Sequence, residues 1–197
     1  MKPQSERPSD SDRAMRYFTP ELLARYGSID DGEADRADED WEAAAKAYRV
    51  HLDGLRERMP PQVEKLADIC LHDAEFPTEA QPEEDFLPTG LGPSPFALWI
   101  GLMYLTIKLG DDIIFLTYVL RDHVRRYPVV DPRPSPATTT TCWLYDELDI
   151  TPGDPAGFVH RILLSDGAVL VIPFATASIR RFSLRGERPG GESRQTA

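Results

Sequence analysis

Three side-chain types that could do chemistry together occur within seven positions of the chain. His160, Ser165 and Asp166 lie in the stretch FVHRILLSDGAVLVIPF, and they are the base, nucleophile and acid of a serine hydrolase. Such a triad requires its nucleophile and its base to lie within hydrogen-bond distance of each other. The element that carries these residues therefore decides whether they could act together.

That element is predicted to be a β-hairpin. Ser165-Asp166-Gly167 separates two apolar runs, and Asp-Gly at its centre favours a two-residue type I′ loop. Side chains alternate between the faces of a strand, so His160 and Ser165 should point in opposite directions, about 16 Å apart along the strand. The G-x-S-x-G motif is also missing from the sequence. The pattern therefore argues against a local Ser-His-Asp site.

Histidines and carboxylates from separate stretches could still form a cleft. His160 would face the acids of WLYDELDI if the two stretches are neighbouring strands, and CLHDAEF places another pair at the end of the helical region. The candidate cleft consists of His160, Asp146, Glu147, His72 and Asp73. A hydrogen-bonded, structural His160 is the alternative interpretation. No catalytic residue is assigned, because the sequence completes no catalytic motif.

Metal-binding patterns are incomplete. Cys70 and His72 could supply two zinc ligands, but no second pair occurs at a suitable spacing. The acidic stretch 30–42 does not match a calcium loop, because Gly32 as the sixth residue would place Asp38, not glutamate, at the twelfth. We therefore predict neither a metal nor a cofactor.

The acidic stretch begins a long amphipathic helix. Apolar residues recur at helical spacing from Trp41 to Met59, and Pro60-Pro61 ends the pattern. Acids in the first turns suit the helix dipole, and the simplest interpretation is a solvated helix start. The sharper interpretation is a docking surface for a basic protein, formed by Asp31, Asp35, Asp38, Glu39 and Glu42. The arginines within 180–194 could pair with this helix in the same chain or in another.

Composition limits the partners and the compartment. The chain has 197 residues and a net charge of −11, and such an acidic surface repels the phosphate backbones of nucleic acids. Cys70 and Cys142 form no C-x-x-C pair and suit a reducing cytosol. The first residues lack a secretory signal, and no apolar run is long enough to span a bilayer as a helix. We expect a cytoplasmic protein that binds neither nucleic acid nor membrane.

The order of the patterns predicts an α+β fold, with N-terminal helices packed on a C-terminal antiparallel β-meander. We expect a hairpin turning at Gly110-Asp111, and a buried helix pair is the alternative for the apolar runs of 96–121. The predicted organisation is a disordered tail at 1–14, a single domain at 15–185 with helices within 19–71 and the sheet within 96–184, and a second disordered tail at 186–197.

The layout of the chain also carries a resemblance. YFTPEL near the start, a long charged helix, a strand with LYDE and a hairpin with H-x-I-L-L-S-D-G occur in that order. This layout resembles that of bacterial proteins of unknown function over most of residues 15–182. The resemblance implies a bacterial, cytoplasmic origin and carries no activity.

The sequence favours a role that is not enzymatic. The first hypothesis is a non-catalytic protein-binding module, of the accessory, adaptor or toxin-neutralising type, that uses the acidic helical surface. The alternatives are a small hydrolase-like enzyme with a histidine and carboxylate cleft, and a structural module that self-associates through an exposed strand edge.

Overall fold

A computed structural model of the chain describes residues 15–76, 97–99, 101–128, 141–153 and 156–183. These residues form an α+β fold in which N-terminal helices pack on an antiparallel sheet, as the sequence predicts. The two predicted disordered tails, and most of the Pro-rich connections between the helices and the strands, lie outside the described residues.

The described helices all precede the long strands. They are α1 (Pro20–Tyr26), α2 (Asp31–Leu55) and α3 (Pro61–Asp68), with a 3-10 turn at Arg56–Arg58. The hydroxyl of Thr19 caps α1 and a proline occupies its first turn, two residue types favoured at these positions.

The cap of α2 differs from the predicted one. The Asp30 carboxylate accepts the backbone N–H of Glu33 at 2.9 Å and caps the helix. In the sequence, Ser28 with Asp31 three residues later approximates a capping box, which predicts Ser28 as the cap, but its hydroxyl accepts the N–H of Asp30 before the helix begins. The capping box predicted for Ser28 and Asp31 is therefore wrong, because Asp30, which directly precedes the helix, occupies the N-cap position.

Eight strands occur in the described part of the chain. They are β1 (Ala74–Glu75), β2 (Ala97–Trp99), β3 (Leu102–Leu109), β4 (Asp112–Leu120), β5 (Arg125–Tyr127), β6 (Cys142–Thr151), β7 (Gly157–Leu164) and β8 (Val169–Ser183). The sheet order is β1-β6-β7-β8-β4-β3-β2, and β5 pairs with β8. Strand β1 also pairs with β3, so the pairings close into a ring with an inner and an outer face.

Both predicted hairpins are confirmed. Strands β3 and β4 turn at Gly110-Asp111, and Gly110 has a φ of 60° at the position where a type II′ loop requires it. The helix-pair alternative for this region is therefore wrong.

The loop between β7 and β8 is not the predicted type I′ loop. Gly167 has a φ of 79°, but Asp166 does not adopt the positive φ that a type I′ loop also requires. Instead the Gly167 N–H binds the Leu164 carbonyl and the Leu164 N–H binds the Ala168 carbonyl, which is a three-residue loop closed by a left-handed glycine. The Asp166 carboxylate accepts the Ala168 N–H at 2.9 Å and stabilises this longer loop.

Apolar side chains pack on both faces of β7. The inner face belongs to the main core, which Val63 and Leu66 of α3 join. The outer face of β7 and of the start of β8 packs against Phe18, Leu22 and Trp41, which belong to the N-terminal segment and the first two helices. Strand β7 is consequently buried along its whole length, and its polar residues need partners inside the protein.

Candidate functional site

A β-bulge in β6 decides which carboxylates face the interior. Pairing with β7 skips Leu144, which has no partner residue on the neighbouring strand. The extra residue shifts the alternation of side chains by one position. Trp143 and Asp146 consequently share the inner face, whereas Tyr145 and Glu147 lie on the outer face toward the N-terminal segment.

His160 lies at the centre of a buried hydrogen-bond network on the inner face. It is 0% exposed, its Nε2 lies 3.0 Å from Asp146 Oδ2, and its Nδ1 lies 2.9 Å from the Tyr118 hydroxyl. Trp143 Nε1 donates to the other oxygen of Asp146 at 3.0 Å. Because a carboxylate only accepts, the His160 Nε2 donates to Asp146, and in the tautomer with its proton on Nε2 the Nδ1 accepts from the Tyr118 hydroxyl. Every polar group of the network therefore has a partner.

The network has the order carboxylate, imidazole, hydroxyl, which in other proteins activates a nucleophile. Here the hydroxyl belongs to Tyr118, which is fully buried. Burial raises the pKa of Tyr118 well above its ordinary value, and the nearby Asp146 raises it further. The phenolate is thus disfavoured, and the hydroxyl is closed to substrates. The arrangement links β4, β6 and β7 and has the properties of a structural network.

Glu147 performs a different task on the outer face of β6. It is 2% exposed, and its carboxylate accepts the backbone N–H groups of Arg16, Tyr17 and Phe18 at 2.8, 2.7 and 2.9 Å. Directly opposite on β7 lies Arg161, which is also buried and whose Nε has no hydrogen-bond partner among the described residues. Opposite residues of an antiparallel pair share one face, so Arg161 and Glu147 lie on the same side of the sheet. Glu147 therefore anchors the N-terminal segment to the sheet.

His72 and Asp73 are exposed and lie next to the bulge of β6. The Nδ1 of His72 donates to the carbonyl of Leu144 at 2.6 Å, and its ring packs on Tyr145 at a centroid distance of 4.7 Å. Asp73 lies 3.5 Å from His72 Nε2 and has a φ of 63°, in the left-handed region. None of these contacts involves His160.

The five residues of the predicted cleft thus fall into three places. The structure brings together only His160 and Asp146; the His160 side chain is fully buried, and that of Asp146 is 21% exposed. Glu147 faces the opposite side of the sheet, and His72 and Asp73 contact the bulge. Sequence reasoning missed Tyr118 and Trp143 as members of the network. A signal for them existed, because a histidine predicted on an apolar strand face needs polar partners from facing strands.

The five carboxylates of the predicted docking surface share one side of α2. Their spacing of i, i+4, i+7, i+8 and i+11 places them within an arc of about 100° and along about 16 Å of helix. All five are exposed, and none makes an ion pair with another described residue. We call this set the acidic flank: Asp31, Asp35, Asp38, Glu39 and Glu42.

The other side of the same helix is neutralised within the chain. Arg25 of α1 binds Glu33 at 2.5 Å and Asp40 at 2.8 Å, and Arg36 binds Glu33 at 2.9 Å. The hydrogen bond from Arg25 is the largest cause of a lowered pKa at Glu33. Helix α2 therefore presents one side with satisfied carboxylates and one side with unpaired ones.

The described residues form neither a metal site nor a membrane-spanning helix. In the described part of the chain, no three His, Cys, Asp or Glu side chains are arranged to hold a metal ion. No described helix combines the length and the apolar character that crossing a bilayer requires. Comparisons of the chain with protein families and with curated proteins give no match.

Proposed function

We propose that this protein is a non-catalytic protein-binding module whose acidic flank binds a basic surface of another protein. The observation that carries the proposal is the asymmetry of α2. Two acids on one side of the helix have arginine partners from the same chain, while the five acids of the flank have none among the described residues. Unpaired charges of one sign on a rigid helix steer and orient a partner of the opposite sign.

The hydrolase-like alternative has less support. Its best pair, His160 and Asp146, is occupied by hydrogen bonds to Tyr118 and Trp143, and the imidazole is fully buried. A general base must reach a proton of its substrate, directly or through one water. The proposal therefore places the function on the surface and a structural role in the interior.

An accessory subunit, an adaptor and a toxin-neutralising protein would all use such a surface. We place the protein in the bacterial cytoplasm. Two observations support this compartment: neither of the described cysteines, Cys70 and Cys142, forms a disulfide, and the acidic surface suits a soluble partner better than an anionic lipid surface.

The experiment compares two variants of the full chain that have the same net charge. The flank variant carries Asp31→Asn, Asp35→Asn, Asp38→Asn, Glu39→Gln and Glu42→Gln. The control variant neutralises five exposed acids outside the flank, with Glu21→Gln, Asp53→Asn, Glu57→Gln, Glu75→Gln and Asp122→Asn. Each protein is immobilised and used to capture partners from a bacterial lysate at low salt, where charge pairs are least screened.

The proposal predicts that a basic protein is captured by the natural chain and by the control variant, and that the flank variant loses at least about nine-tenths of it, as expected for more than 1.4 kcal/mol of binding free energy. Equal losses in both variants would show that only net charge matters. Capture of no basic protein by the natural chain, together with no flank-dependent association of the chain with its own copies, would refute the proposal.

A further inference from the structure

A second surface of the molecule is exposed and has the opposite character. Strands β3 and β4 and the second half of β8 lie side by side, and their inward residues belong to the main core. Their outward side chains are exposed or half-buried. We call this surface the open sheet face; its main members are Tyr104, Phe115, Val119, Phe182, Lys108 and Arg180.

The open sheet face has the composition of a contact surface. Phe182 is 53% exposed, and its ring meets that of Phe115 edge to face at 5.5 Å. By register, Tyr104 lies diagonally across from Phe115 on the neighbouring strand, so the rings of Tyr104, Phe115 and Phe182 form a row across three strands. Exposed aromatic groups next to an arginine are the residue types enriched where proteins contact one another.

Lys108 and Arg180 are the described charged side chains on the outward side of these three strands, and the exposed Glu75 of the neighbouring strand β1 lies opposite Lys108. Lys108 and Arg180 are exposed, and neither makes an ion pair with another described residue. The outward positions of β3, β4 and the second half of β8, up to Phe182, contain no aspartate or glutamate. The chain as a whole carries a net charge of −11. An acidic partner surface would meet attraction here and repulsion over much of the rest of the molecule.

From this complementarity we propose that the open sheet face of one copy binds the acidic flank of a second copy. The proposal rests on the proposed function and names the partner as another molecule of this chain. The flank extends about 16 Å along α2. Four successive outward residues of one strand extend about 20 Å along the sheet, so the two surfaces match in length. If two open sheet faces bound each other instead, Lys108 and Arg180 of one copy would lie near the same cations of the other copy, and like charges repel.

A contact between two different surfaces has a specific consequence for assembly. Each bound copy keeps one unused flank and one unused sheet face, so the assembly grows by addition and does not stop at a pair. Sedimentation velocity should therefore show the full chain forming dimers and longer species as its concentration rises. The association constant should fall by about tenfold or more when salt is raised from low to several hundred millimolar, since both surfaces are exposed.

Two variants isolate the two surfaces. The flank variant described above keeps an intact sheet face, and a face variant with Lys108→Glu and Arg180→Glu keeps an intact flank and its aromatic residues. Each variant alone should sediment as a monomer. An equimolar mixture should form a dimer and nothing longer, because the flank of the face variant binds the sheet face of the flank variant and both remaining surfaces are disabled.

The proposal is overturned if the natural chain remains a monomer at high micromolar concentration and low salt, or if the mixture of variants does not form the dimer. It is also overturned if the face variant associates as strongly as the natural chain. Capture of a different basic protein through the flank, together with a monomeric natural chain, would overturn self-association and leave the proposed function standing.

Discussion

The carboxylates of strand β6 and those of helix α2 have opposite surroundings. Asp146 and Glu147 are adjacent in sequence, yet one binds side chains inside the ring and the other binds backbone N–H groups outside it. The carboxylates of the acidic flank are exposed and make no ion pair with described residues. Because a buried carboxylate without partners is costly and an exposed one is not, the first group must serve the fold and the second is free to serve binding.

The largest expected effect is at Glu147. The change Glu147→Ala removes the carboxylate that accepts three backbone N–H groups, so we expect the free energy of unfolding to fall by about 3 kcal/mol or more. Denaturant unfolding measures it. The control Glu42→Ala, in the flank, should change stability by no more than about 0.5 kcal/mol. Similar losses in the two variants would remove the distinction between the two regions.

A smaller effect concerns the network on the inner face. Tyr118→Phe removes the donor to His160 Nδ1, and we expect a loss of about 1 kcal/mol at pH 7, measured by the same unfolding experiment. The control is Tyr26→Phe at an exposed position.

The same variant tests the pH dependence of stability. The pKa of Tyr118 in the folded protein is raised well above 10, whereas its pKa in the unfolded chain is near 10. The contribution of Tyr118 to the free energy of unfolding is therefore complete below pH 10 and is lost as the pH rises past that value. Tyr48, whose pKa is also raised by burial, adds to the same loss. Between pH 9 and 11 stability should fall less steeply in Tyr118→Phe than in the natural chain or in Tyr26→Phe. Equal slopes would show that Tyr118 titrates normally in the folded protein.

The smallest effect on stability has the opposite sign. Asp73 adopts a φ of 63°, which costs a residue with a Cβ about 1 kcal/mol relative to its preferred conformation. Its ion pair with His72 is exposed and contributes little. Asp73→Gly should therefore raise the free energy of unfolding by about 0.5 kcal/mol, and Asp73→Ala should lower it. The opposite order of the two variants would show that the carboxylate, not the backbone, determines the effect.

The helices and the hairpins could be predicted from local patterns. Apolar residues at helical spacing define α2, and Gly110 and Gly167 supply the positive φ that the two tight loops require. These features depend only on residues close together in the chain, so they can be predicted from a single sequence. The exact form of the second loop was not predictable, because it depends on hydrogen bonds that the Ser165 hydroxyl accepts from the Cys142 N–H of β6 and the Asp166 carboxylate accepts from the Ala168 N–H.

The arrangement of the candidate cleft could not be predicted in the same way. Alternation along WLYDELDI places Trp143, Tyr145 and Glu147 on one face, and only the bulge at Leu144 moves Trp143 to the side of Asp146. No glycine or proline marks this bulge, and the His72 bond that satisfies its carbonyl comes from a residue 72 positions away. The acidic flank was predictable, because helical spacing alone puts its residues on one side of α2.

The most direct test of the account measures stability and binding together on the flank variant. The account predicts a free energy of unfolding within about 1 kcal/mol of the natural chain, since only the favourable position of Asp31 in the first helical turn is lost. It also predicts loss of the captured basic partner, which the control variant of equal net charge retains. A flank variant that unfolds as readily as Glu147→Ala, or that keeps its partner, would contradict the separation of structural from binding carboxylates.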